Sequence, residues 1–273
     1  MASLGQIIFY SMITLIVLFS AVIILILALA FSGSSEVMSS NTTPIANLGE
    51  DELLSCILKT DSQEVRLTDV SVTWEKKELT GFVYRYEKGA PQLNDQNSQF
   101  KGRTQLFPDA LVTGNASLLL RGVSRSDAGE YTCSISSSGG GGKVNIQLRT
   151  AAFSAPTFKF SNGILAAEAS RWFPKPNVTW LNFDADVLSG ITNFTQNSAG
   201  IFSLVSTLQS VNASETYTCT IQNNLVIAVS TATAIGPDVS GNTFFTYTAA
   251  SSLLASTYLS IMTSVLCISY LTL

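Results

Sequence analysis

Hydrophobic residues fall into three regimes along this chain. Ile7 to Phe31 is an almost unbroken apolar run, and Leu253 to Leu273 is another. Between them apolar and polar positions alternate with a period of two, the spacing of half-buried β-strands. Val70, Val72 and Trp74 share one face of such a strand, Leu118 and Leu120 of a second, and Tyr131, Cys133 and Ile135 of a third. The same rhythm returns in Val178 and Trp180, in Phe202 to Leu208 and in Tyr217-Thr218-Cys219. The pattern predicts an all-β chain flanked by two hydrophobic segments.

Two half-cystines give the strands an arrangement. Cys56 and Cys133 stand 77 residues apart, with Trp74 between them and Tyr131 two positions before the second. In an immunoglobulin sandwich a disulfide joins strands B and F across two sheets, the strand-C Trp packs on it, and that Tyr closes the E–F corner. The alternative is some other disulfide-bearing β-sandwich. The long spacing leaves room for the C′ and C″ strands of a variable-type domain, expected over 43–150, with Phe82 to Tyr86 as C′. Arg103 and Asp127 stand where such domains place a structural ion pair. A second domain is expected over 156–237, with Trp172 in its entry segment and Trp180 on strand C. Ala167 occupies the place of its first Cys, and only 52 residues separate it from Cys219, which suits a constant type lacking C′ and C″. Cys219 is expected as a buried, inert thiol, with an intermolecular bridge as the alternative. The fold class is thus two tandem immunoglobulin-like β-sandwiches, V-type then C-type.

Composition narrows the function. The 273 residues include no His, which excludes Ser-His-Asp and Cys-His nucleophilic sites and the commonest zinc ligation. A net charge of −4 offers no basic footprint for nucleic acid. No enzyme, cofactor, metal or small-molecule substrate is expected. Residues 1–30 read as a signal peptide, from the small-x-small site Ala28-Leu29-Ala30, or as an uncleaved signal-anchor. Residues 253–273 read as a GPI-attachment signal, with Ser240 as attachment site ahead of a spacer, or as a transmembrane helix. Sequons at Asn41, Asn115, Asn177, Asn193 and Asn212 agree with an extracellular face.

A V-type domain followed by a C-type one, with Arg171-Trp172-Phe173-Pro174-Lys175-Pro176 leading into Val178-Thr179-Trp180, resembles the B7 and butyrophilin family of T-cell co-regulatory ligands. Gly49-Glu50-Asp51, Gly102-Arg103-Thr104 and Gly114-Asn115-Ala116-Ser117-Leu118 carry the resemblance further. It implies a cell-surface ligand that restrains T-cell proliferation and cytokine output through a protein receptor on the T cell. Ala167 departs from the family pattern. A homophilic or heterophilic adhesion protein is the alternative, since it uses the same parts.

The expected partner surface is the front sheet of the first domain. With Trp74 and Cys133 inward, Thr73, Glu75, Thr132 and Ser134 point outward; with Val144 and Ile146 inward, Lys143, Asn145 and Gln147 join them. If Val83 faces the core, Phe82, Tyr84 and Tyr86 form an exposed aromatic stripe on the same sheet, of the kind enriched at interfaces; the alternative places these rings in the core. Ser136 to Gly142, with four consecutive glycines, is expected as a mobile F–G loop that adds little binding energy.

Overall fold

The computed structural model describes residues 4–31, 36–59, 67–235 and 238–248. Leu4–Phe31 forms helix α1. Its side chains are described continuously only over 11–26, all exposed. Among these described residues no helix is long and apolar enough to cross a membrane. The expected anchor segment, Leu253 to Leu273, lies outside the described residues.

The rest divides into two compact units. The first takes in Leu53–Arg121 and Gly129–Ile146; the second takes in Thr43–Glu52, Gly122–Ala128 and the chain from Gln147 onward. Along the first half run β1 (Glu36–Met38), β2 (Ile45–Asn47), β3 (Glu52–Leu54), β4 (Ile57–Lys59), β5 (Ser71–Lys76) and β6 (Tyr84–Glu87). They are followed by β7 (Ala90–Pro91), β8 (Thr104–Leu106), β9 (Leu118–Leu120), β10 (Gly129–Ser137) and β11 (Gly140–Ala151). One sheet has the order β2-β11-β10-β5-β6-β7; β3-β9-β8 and β1-β4 make the pairings of the back sheet.

The first unit closes around Cys56–Cys133. Cys133 stands opposite Trp74 in the β10–β5 register, so both turn to the same face. Trp74 and Tyr131 have no exposed surface, and the Trp74 indole N–H donates to the Ala116 carbonyl at 3.0 Å. Without that acceptor a buried N–H would cost about 1–3 kcal/mol. Phe100 packs edge-on against Tyr131 with ring centres 6.2 Å apart. Arg103 donates from Nε to the Arg121 carbonyl and from Nη1 to that of Gln99, both at 3.1 Å. Asp127, in the second unit, is fully buried and accepts from the Ser124 backbone N–H at 2.7 Å.

The glycine run is mostly strand rather than loop. β10 continues to Ser137 and β11 begins at Gly140, leaving Ser138-Gly139 as the turn. A Cβ on Gly141 would collide with the Ile135 carbonyl oxygen, and one on Gly142 would sit 3.1 Å from Val37 Cγ2. Close backbone approach, rather than loop mobility, is what the glycines supply here.

The second unit holds β12 (Thr157–Ser161), β13 (Ile164–Trp172), β14 (Asn177–Leu181), β15 (Val187–Leu188) and β16 (Gly190–Gln196). Its remaining strands are β17 (Phe202–Leu208), β18 (Thr216–Gln222), β19 (Val226–Ile235) and β20 (Asp238–Tyr247). Its sheets are β12-β13-β17-β16 and β15-β14-β18-β19-β20. The two-residue β15 is all that edges β14 where a V-type domain has C′ and C″. Trp172 and Trp180 are buried in a core shared with Ala167, Leu204 and Cys219. Cys219 stands opposite Trp180 and has no exposed surface; burial pushes its thiol up to about 12. Trp180 donates from Nε1 to Ser206 Oγ at 2.9 Å, and a Cβ on Gly190 would lie 2.5 Å from the indole Cδ1. The Tyr217 hydroxyl accepts from the Asn212 N–H at 3.1 Å and donates to Glu215 Oε2 at 2.8 Å, which fixes the turn before β18.

The end of this sandwich differs from the expected boundary at 237. β20 pairs with β19 along its whole length, from Ile235↔Asp238 to Val226↔Tyr247. Ser240, expected as an attachment site beside a flexible spacer, is instead opposite Thr233 within that ladder. Cleavage there would remove most of β20 from the sheet.

Candidate functional site

The outward face of the front sheet is built by register. In β5 and β10, Glu75 stands opposite Thr132 and Thr73 opposite Ser134, with Val72, Trp74, Cys133 and Ile135 buried between them. Glu75 is exposed and the other three are half-buried. Lys143 and Asn145 extend the face along β11, both exposed, and Thr132 Oγ1 donates to Asn145 Oδ1 at 3.0 Å. Gln147 is exposed two positions further along that strand.

The aromatic stripe is a correction. Val83 is fully buried as anticipated, yet Tyr84 and Tyr86 are buried too, at 6% and 9% exposure. The β5–β6 register explains it: Trp74 stands opposite Tyr84 and Val72 opposite Tyr86, so both tyrosines share the core face. Val83 donates its N–H to the Trp74 carbonyl ahead of the ladder, so alternation breaks between Val83 and Tyr84. Desolvation raises the Tyr84 hydroxyl above its ordinary value, with Tyr86 adding to it. Phe82 alone of the three reaches the surface, half-buried.

Arg85 takes the outward place on this strand. It stands opposite Thr73, with its guanidinium 4.3 Å from the Phe82 ring centre and Nε 3.4 Å from Glu87 Oε1. Lys77 Nζ donates to Glu130 Oε2 at 2.9 Å at the lower end of the face; that carboxylate raises the Lys77 pKa. A shallow depression of about 280 Å³ lies between these groups, lined by Glu75, Lys76, Leu79, Gly81 and Thr132 among others. The face is therefore polar, of mixed charge, and held by cross-strand pairs. It offers hydrogen-bond donors and acceptors to a flat protein surface and no enclosed pocket for a small substrate. Among the described residues no group of three His, Cys, Asp or Glu could hold a metal.

All five sequon asparagines are exposed. Asn41 precedes β2, where the neighbouring Ser40 N–H donates to Ser55 Oγ, and Asn115 bridges to Ile57 beside β4. Asn115 thus lies beside a back-sheet strand, and Asn41 in the connection from β1 to β2. Asn177 opens β14 opposite Gln222, Asn193 lies in β16, and Asn212 precedes β18.

Residues 39–150 match the immunoglobulin V-set domain family, and residues 161–228 match the "Butyrophilin subfamily 3 member A2-like, Ig-C domain" family. The human protein named V-set domain-containing T-cell activation inhibitor 1 is 37% identical over 240 residues, spanning 84% of this chain and 83% of that protein. The chain belongs to the B7 and butyrophilin family. The mouse protein of the same name is 38% identical over the same shares of both chains. The crystal structure of the human B7-H4 IgV-like domain aligns with 42% of this B7/butyrophilin chain and 96% of its own, at 34% identity and a TM-score of 0.37. Members of this family are immunoglobulin-domain immune proteins rather than enzymes.

Proposed function

We propose that this chain is a cell-surface co-inhibitory ligand that restrains T-cell activation by presenting the outward face of its front sheet to a receptor on the T cell. Relatives named as T-cell activation inhibitors over most of their length support the inhibitory role. One observation supports the front sheet as the contact. Thr73, Glu75, Arg85, Thr132, Ser134, Lys143 and Asn145 form a continuous surface without a sequon, whereas Asn115 lies beside a strand of the opposite sheet. Glycans attached there would leave the front face bare. Membership of a family that is generally cell-surface supports the membrane location.

The test uses the full chain displayed on cells, scored for suppression of activated T cells and for self-aggregation. Glu75→Arg and Arg85→Ala are expected to abolish suppression at unchanged surface level, since a central interface residue carries ~2 kcal/mol or more. Tyr84→Ala serves as the contrast: truncating a buried aromatic costs ~3–5 kcal/mol and lowers the surface level itself. Full suppression by both front-face variants would overturn the proposed contact. Self-aggregation without suppression would favour the adhesion reading.

A further inference from the structure

An aliphatic pair lies bare on the outer face of β16 and β17. Ile191 is 59% exposed and Val205 41%. Val205 stands directly opposite Asn193 in the antiparallel register, and Ile191 lies two positions before Asn193 on the same strand. Opposed residues share a face at ~5 Å between Cβ atoms, and i,i+2 neighbours share it at ~7 Å. Ile191, Asn193 and Val205 therefore form a triangle with the asparagine at one corner. The strand cannot turn over to hide the pair. Thr192 Oγ1 is committed inward to the buried Ser206 Oγ at 2.8 Å, and Phe194 packs on the core. Among the described residues β16 is also the last strand of its sheet, paired only with β17. An unpaired edge beside exposed aliphatic side chains is a template for a second chain.

Asn193-Phe194-Thr195 is a sequon whose Asn193 and Thr195 are both exposed. We propose that an N-linked glycan on Asn193 covers Ile191 and Val205 and obstructs the β16 edge, masking a surface through which copies of this chain would otherwise associate. Transfer would use a lipid-linked diphospho-oligosaccharide. Asn193 Nδ2 bonds to C1 of the first sugar and loses one proton, while the C1–O bond to the diphosphate breaks and the lipid diphosphate leaves. Among the described residues the Asn193 amide engages no partner, whereas Asn212 Nδ2 is held by Glu215 Oε1 at 3.0 Å. A bulky, solubilising glycan can lay the C–H face of its first ring on the aliphatic pair and keep its hydroxyls in water.

The experiment expresses the full chain in glycosylating mammalian cells. Occupancy of Asn193 is read by peptide mass spectrometry, and self-association by cross-linking in detergent extracts. Asn193→Gln and Thr195→Ala delete the sequon through different residues, and each is expected to raise the cross-linked fraction several-fold. Adding Ile191→Thr with Val205→Thr should return it to the wild-type level. Expression lost in the sequon variants and restored by those two substitutions also supports masking. An unoccupied Asn193, or unchanged cross-linking in both sequon variants, overturns the proposal. So does lost expression that the aliphatic substitutions fail to restore, because the glycan would then serve folding rather than concealment.

Discussion

The Trp180 indole donates to Ser206 Oγ at 2.9 Å inside the second sandwich, and Ser206 stands opposite Ala167, the place where a half-cystine was expected. An indole-to-hydroxyl bond thus ties β14 of one sheet to β17 of the other beside the vacant disulfide position. Thr192 Oγ1 joins the same hydroxyl at 2.8 Å, so the serine is satisfied from both sides.

Replacing Ser206 with Ala would leave a fully buried indole N–H without an acceptor. The expected loss is ~1–3 kcal/mol, confined to the unfolding transition of the second unit. Calorimetry of the full chain should show that transition moving down while the one sensitive to reduction of Cys56–Cys133 stays in place. An unchanged second transition would mean that the bond contributes nothing.

Ala167→Cys should restore a bridge to Cys219, since both are buried in one core cluster on facing sheets. The gain expected is ~2–4 kcal/mol. Without it the second unit should melt first and ignore reductant. With it the second transition should rise and become reductant-sensitive. A reduced Cys219 in that variant, read by thiol labelling under denaturant, would show that the two sulfurs cannot meet.

The Cys219 thiol yields a pH dependence with a definite sign. Its folded value is raised by burial from 9.0 to about 12. Between those values the unfolded chain releases a proton that the folded chain keeps, so stability falls as pH rises. The contribution is intact below about pH 9 and lost on the way to pH 12. Burial raises Tyr217 as well, in the same direction. Cys219→Ala should lower the baseline but flatten the slope measured by denaturant titration. An equal slope in both proteins would assign the whole effect to the tyrosines.

Gly141→Ala should destabilise the first unit by ~1–3 kcal/mol, because the new methyl meets the Ile135 carbonyl oxygen rather than a movable side chain. Thermal denaturation of this variant would decide the matter. Wild-type stability would mean that the β10–β11 hairpin relaxes at no cost, as a mobile loop would.

The sequence by itself determined the two sandwiches, the Cys56–Cys133 bridge packed on Trp74, the absent second bridge at Ala167, and the outward set Thr73, Glu75, Thr132 and Ser134. Each of these rests on period-two alternation within one uninterrupted strand, or on residues whose chemistry is specific to the fold. Tertiary structure decided the rest. Whether Tyr84 or Arg85 faces outward depended on the phase of a strand beginning after a break, and only its pairing with Trp74 set that phase. The glycines beyond Gly139 are indistinguishable from a flexible loop until Ile135 is brought against Gly141. β20 carries spacer-like small and polar residues, and becomes a strand because β19 offers it a free row of backbone donors and acceptors. Contacts made across the chain have no local signature, and those three features are made of such contacts.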